Sequence, residues 1–219
     1  MTRADRWERG RLLSGLYDAG VQRPRVGRFF AWALWRADAL RFYAEADALG
    51  RLPDTAVVLD VPTGGGVSFR GVSPGGPLLL ALDASPIMLR RARRRAPSAR
   101  SRVRLVQGDA EELPFADASV DLCLTQNGLH CFRRPERALS EMARVLRPGG
   151  ELRGNAVAAG GGRWPDLLGG AALRLGLFRA RVWECEVARW LEASGLEDVA
   201  VEQCRALVWF SARRPASTH

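Results

Sequence analysis

VVLDVPTGGG, Val57 to Gly66, is an apolar run that ends in a carboxylate and passes straight into a glycine-rich turn. Near-continuous apolar residues, rather than alternating ones, are how a strand buried on both faces reads. Glycine in the turn lets the backbone approach a ligand closely, and a helix after it presents free N–H groups to an anion. Alone the motif is weak, because several nucleotide-binding families share it and a tight turn capping a helix needs the same glycines. The next apolar run, Leu78 to Asp83, also ends in a carboxylate, 19 residues after Gly64. A carboxylate at that spacing can accept both hydrogen bonds of a ribose diol. Together the two runs point to an adenosine-type ligand.

Working outward, Val103 to Gln107, Val120 to Gln126 and Glu151 to Val157 read as further buried strands. Helices are expected at Pro86 to Arg95 and Pro135 to Leu146. The second carries Ala138, Met142, Val145 and Leu146 on one face and is stopped by Pro148-Gly149-Gly150. Strand–helix alternation predicts a doubly wound, parallel α/β sheet whose ligand-binding loops share one edge. Val199 to Arg205 and Leu207 to Ala212 could pair as closing antiparallel strands. Residues 1–55 form a helical cap ahead of a core at 56–219, with an insertion at about 160–181 before a helix at Val182 to Ser194. In the cap, Val26, Phe29, Phe30, Ala33, Leu34 and Ala37 recur at helix spacing, while Trp32, Trp35 and Phe42 fall on another side. That second side is either more core or a lid over an apolar substrate, with Trp32, Trp35 and Phe42 as its wall. Cap and insertion are expected to build the substrate side, because apolar ligands need a dry, concave wall.

The 219 residues are 47% hydrophobic and 26% charged, an ordinary globular composition. Thirty-three basic residues, every one arginine, face 24 acidic ones, for a net charge of +9 that favours acidic partners. The cluster Arg90, Arg91, Arg93, Arg94, Arg95, Arg100, Arg102 and Arg104 reads as a solvated face, since no aromatic residues interleave it as nucleic-acid stacking platforms would. The run Phe29 to Trp35 is seven residues long, well short of the roughly 20 of a spanning helix. Charges throughout the first twenty residues leave no signal-peptide apolar region. Cys123, Cys131, Cys185 and Cys204 show no C-x-x-C spacing, so no metal site is expected, and free, buried thiols in a cytoplasmic protein are.

VQGDAEELPFADASVDLCLTQNGLHCF at 106–132 and ERALSEMARVLRPGGEL at 136–152 separate the candidates. With the 57–66 turn they strongly resemble class I S-adenosylmethionine-dependent methyltransferases, closest to the branch containing the ubiquinone and menaquinone biosynthesis enzymes. The resemblance covers roughly residues 55–157. It implies a seven-stranded, mostly parallel sheet with the last strand antiparallel, S-adenosylmethionine as cofactor, and methylation of a small, apolar-bodied molecule on O, N or C. The alternative is a member of the fold that has lost methylation and works as a non-methylating catalyst or binding subunit. Gln126-Asn127-Gly128-Leu129 replaces the Asn/Asp-Pro-Pro-aromatic run typical of base methylation in nucleic acids.

Carried over by motif, the resemblance places Asp60 and Thr63-Gly64-Gly65-Gly66 at the methionine part of the cofactor. Asp83 takes the ribose hydroxyls, with Ala84 and Met88 beside the adenine. Asp109 accepts from the adenine amino group, and the Ala110 amide meets the ring. Gln126 and Asn127 line the methionine end, and Tyr17, in a Tyr-Asp pair, closes over the cofactor. The turn departs from the family pattern, which has glycine at Pro62 and threonine at Gly65. Proline removes an N–H donor and fixes φ, so cofactor binding depends on that N–H being dispensable. His130, after the fourth strand, is either a general base for the nucleophile or a group that packs and positions substrate. Oligomeric state is not readable from these residues.

Overall fold

The computed structural model describes residues 22–37, 40–96 and 102–216. Among them a seven-stranded sheet runs in the order β3-β2-β1-β4-β5-β7-β6. The strands are β1 (Val57–Asp60), β2 (Leu78–Asp83), β3 (Val103–Gln107), β4 (Val120–Gln126), β5 (Leu146–Val157), β6 (Glu197–Cys204) and β7 (Leu207–Arg213). The first five pair in parallel. β7 is antiparallel to both its neighbours, β5 and β6. The helices are α1 (Pro24–Trp35), α2 (Leu40–Ala48), α3 (Pro86–Arg95), α4 (Pro135–Val145), α5 (Arg163–Arg174) and α6 (Glu184–Ala193).

The apolar runs of the central strands are continuous because each strand feeds two cores at once. Alternate residues point to opposite faces: Val58, Leu79, Leu122 and Leu124 pack on one side with Leu49, Phe69 and Ala92. Leu59, Leu82 and Cys123 pack on the other with Leu139, Met142 and Leu191 of α4 and α6. α3 starts where the Ser85 hydroxyl accepts the Met88 N–H at 3.4 Å with Pro86 in the first turn, and Arg93, Arg94 and Arg95 close it against the helix dipole.

Two boundaries differ from expectation. α4 ends at Val145 and β5 begins at Leu146, five residues before the expected Glu151. Leu146 pairs with Val120, and Gly149 and Gly150 exchange backbone hydrogen bonds with Arg214, so the helix-stopping residues are themselves used as strand. The cap is two helices rather than one, because Arg36 takes a left-handed conformation (φ 53°) and turns the chain. A third cluster then joins α2 to the sheet through Phe42, Tyr43, Val157, Leu207 and Trp209.

The apolar stripe expected to bury α1 does not do so. Gly27 is buried and Ala31 and Trp35 partly so, whereas Phe29 is 60% exposed and Phe30 49%. The four cysteines are free, but Cys185 and Cys204 are exposed rather than buried.

Candidate functional site

The sheet order reverses between β1 and β4, and in open α/β sheets ligands bind outside the strand ends at that point. The turn after β1 is anchored to both neighbours. Val61 N–H donates to the Leu124 carbonyl of β4 (2.9 Å), and Thr63 N–H to the Leu82 carbonyl of β2 (2.8 Å). Pro62, preceded by a cis peptide bond, sits between these anchors, so the turn is held without a donor from residue 62. On its other side Pro62 meets the turn after β4: a Cβ added at Gly128 would lie 2.6 Å from Pro62 Cδ and would also press on Thr125 Oγ1.

Asp60 is buried, and its Oδ2 accepts the hydroxyls of Thr63 (2.7 Å) and Ser68 (2.5 Å). Burial pushes its carboxyl up to about 6, against the pull of those two hydroxyls, and the neighbouring Asp83 charge adds to the rise. Asp83, also buried, accepts the Gly64 N–H (2.9 Å) on one oxygen and the Ser85 N–H (2.8 Å) on the other. Burial outweighs both amides and brings it up to about 6 as well. The two carboxylates thus lock the glycine turn from beneath, each with lone pairs left over. Gly64 adopts φ +55°, and a Cβ built on it meets nothing within 4 Å. A carboxylate beside an open patch of turn backbone fits a ribose diol and the chain attached to it.

Most of the other expected residues lie at or just after the ends of β2, β3 and β4. Met88 is partly buried in the first turn of α3, and Ala110 is buried below an exposed Asp109, whose Oδ1 accepts the Glu111 N–H (3.0 Å). Gln126 and Asn127 are already engaged. The Gln126 amide donates to the Phe42 carbonyl (2.8 Å), tying β4 to α2, and Asn127 pairs with Asn155 across β5 (3.1 Å). Tyr17 lies outside the described residues.

The candidates for a substrate wall divide. Trp32 is 57% exposed and lines a surface hollow with Arg25, Arg28 and Phe29, while Phe42 is buried against Tyr43 and Trp35 stacks on Phe178 of the insertion (5.8 Å, 24°). Phe178 in turn leans on His130 (4.2 Å), and the Arg179 N–H donates to the His130 carbonyl at 2.7 Å. Cap, insertion and the end of β4 therefore meet at one aromatic stack. Beside it lies a small cleft of about 110 Å³ lined by Val157, Pro165, Leu173, Phe178 and Trp183.

His130 is buried, and its Nδ1 accepts the Val157 N–H at 3.2 Å. That bond puts the proton of the neutral ring on Nε2, so the accepting lone pair is already used. Burial lowers its pKa to about 3. A group that binds protons so weakly, with its lone pair engaged, is a poor general base, and the geometry favours the packing and positioning reading.

Three residues that carry no chemistry in the sequence reading hold the site together. Glu111 accepts from the Arg133 and Arg134 amides and pairs with the Arg134 guanidinium (3.0 Å). Burial pushes its carboxyl up, but the Arg134 and Arg133 hydrogen bonds outweigh it and hold it below the usual range. Arg144 binds Glu141, Asp117 and the Leu113 and Phe115 carbonyls, pinning the loop before β4. Asn155 is a fully buried amide in a strand, and that mismatch was its available signal.

Residues 59–153 match the family model described as a methyltransferase domain. The chain is 42% identical over 106 residues to the demethylmenaquinone methyltransferase of Renibacterium salmoninarum, covering 48% of this chain and 43% of that protein. It is 42% identical over 89 residues to the phthiotriol/phenolphthiotriol dimycocerosates methyltransferase of Mycobacterium tuberculosis, covering 40% of this chain and 32% of that one. The chain thus spans less than half the length of these relatives. Haemonchus contortus phosphoethanolamine N-methyltransferase 2 shares the fold, with a TM-score of 0.74 at 15% identity over 98% of this chain and 60% of that one. With its strand order and its 60–66 turn in agreement, the chain has the fold of solved methyltransferases, and its residues 59–153 are similar to a methyltransferase domain.

Proposed function

We propose that the protein transfers a methyl group from S-adenosylmethionine to O, N or C of a small, apolar-bodied acceptor, working at a cytoplasmic location. The observation that carries this reading is Asp83, buried at the tip of β2 and bonded to the Gly64 amide beneath open space. When bound, the cofactor supplies an activated methyl on a sulfonium centre. Asp83 binds the ribose diol, with Ala84 and Met88 beside the adenine. Asp109 and the Ala110 amide hold the adenine edge. The Thr63–Gly66 turn, Gln126 and Asn127 take the methionine end, with Asp60 fixing the turn through Thr63 and Ser68.

Direct displacement asks the protein mainly to hold nucleophile, methyl and sulfur in line, which can supply roughly 7–11 kcal/mol. Trp35, Phe42 and Phe178 exclude water from the acceptor side, and His130 keeps the insertion seated on β5 by its Nδ1 and carbonyl bonds. No helix among the described residues is long and apolar enough to cross a membrane. The test is incubation with methyl-labelled S-adenosylmethionine and a library of quinols, phenols, amines and acyl esters, scored by product mass. A labelled apolar product supports the reading. Binding of the cofactor with no transfer to any member assigns the chain to the non-methylating alternative.

A further inference from the structure

The helix α1 is built inside out. Residues four apart, Gly27, Ala31 and Trp35, form its inward stripe, whereas the larger apolar side chains Val26, Phe29, Phe30 and Leu34 point to solvent. A water-facing helix normally shows the reverse. α5 packs against α1 and repeats the pattern, with Trp164 51% and Leu167 62% exposed, and Leu175 just beyond it at 74%. Exposed apolar side chains gathered on two helices in contact mark an interaction site.

Charge identifies the partner. Residues 23–36 and 163–181 together hold eight arginines and one acidic residue, Asp166. Arg25 and Arg28 line a surface hollow with Phe29 and Trp32, and the Arg36 guanidinium lies 5.3 Å from the Trp32 ring centroid. A second copy of this chain would press arginine against arginine across such a face. Tryptophan and phenylalanine flanked by arginine instead suit a bilayer interface, where rings enter the acyl boundary and guanidinium groups meet lipid phosphates. The other arginine-rich element, α3, exposes Arg90, Arg93 and Arg94 with no large apolar residue among the exposed ones.

We propose that the outward face of α1 and α5 is a docking surface for an anionic lipid bilayer. Binding there is peripheral and needs both parts of the face. It does not depend on the methyl-transfer reading, since it is measured without cofactor.

The test is flotation of the full-length protein with vesicles of pure phosphatidylcholine and with vesicles containing about 30% phosphatidylglycerol, whose surface potential attracts basic segments. Expected is binding at least about tenfold tighter to the anionic vesicles, weakened by salt. Phe29→Ser/Trp164→Ser, both exposed and so expected to melt like wild type, lowers it at least about tenfold by removing the inserted rings. Arg93→Glu/Arg94→Glu on α3 lowers it by no more than about threefold. Three results overturn the proposal: no preference for anionic vesicles, equal binding by the Phe29/Trp164 variant, or failure of wild type to float while that variant alone dissociates a dimer, which gives the face to a second copy.

Discussion

Asp60 and Asp83 impose opposite pH demands on the fold and on the cofactor. Each carboxyl rises from 3.8 to about 6 on folding. A raised acid binds its proton more tightly in the folded state, so its contribution to stability is complete below about 4 and is lost as pH climbs through about 6. The cofactor-free chain should therefore lose stability between those values by up to about 3 kcal/mol per group. Urea melts at pH 5 and pH 7.5 read the part of this loss that falls above pH 5, about 1.4 kcal/mol per group, and Asp60→Asn should flatten the slope. Cofactor affinity should rise over the same interval, because only ionised Asp83 can accept both ribose hydroxyls alongside its two amides. Asp83→Ala should also destabilise the free protein by about 1–3 kcal/mol, since Gly64 and Ser85 lose their acceptor. His130 gives a second contrast. With Nδ1 engaged and a pKa near 3, it should add no limb near pH 6.5 to the pH–rate profile at saturating cofactor, where the Asp83 titration no longer shows. His130→Asn should retain more activity than His130→Ala, because an amide oxygen can still accept the Val157 N–H.

The elements around the site owe their positions to contacts between turns more than to the motifs themselves. Pro62 and Thr125 crowd Gly128, so Gly128→Ala should force the β1 and β4 turns apart and cost about 1–3 kcal/mol. Thermal melting measures that loss, and a weakened cofactor affinity should accompany it. Trp35→Ala removes the ring that seats α1 on the insertion and should raise the acceptor KM more than the cofactor Kd. Much of this layer was legible in the sequence. β1 to β4 and α3 have the boundaries their apolar runs and Pro86 suggest, because a strand feeding two cores must be apolar at nearly every position. β5 was misjudged at its start, since Pro148-Gly149-Gly150 ends a helix locally while pairing with β7 and Arg214 depends on distant chain. The α1 face was misjudged because periodicity shows that a stripe exists and not which way it turns. The candidate site was legible where a strand tip carries a carboxylate, at Asp60 and Asp83, both of which bond the turn after β1. The Glu111–Arg134 pair and the Asn127–Asn155 pair were not, because each joins residues 23 and 28 positions apart through the fold.

The molecule as a whole places a cofactor-type edge at the β1–β4 reversal and an apolar, arginine-flanked cap beside it. The 60–66 turn and Asp83 are proposed to form a working S-adenosylmethionine site although Pro62 replaces the glycine of the resembling turns. Titration calorimetry of the full chain at pH 7.5 with S-adenosylmethionine, and separately with NAD, tests it most directly. One saturable site for S-adenosylmethionine, none for NAD, and at least about a tenfold loss of affinity in Asp83→Ala, some 1.4 kcal/mol, are predicted. Absence of binding by the wild-type protein, or an Asp83→Ala affinity equal to wild type, contradicts the account.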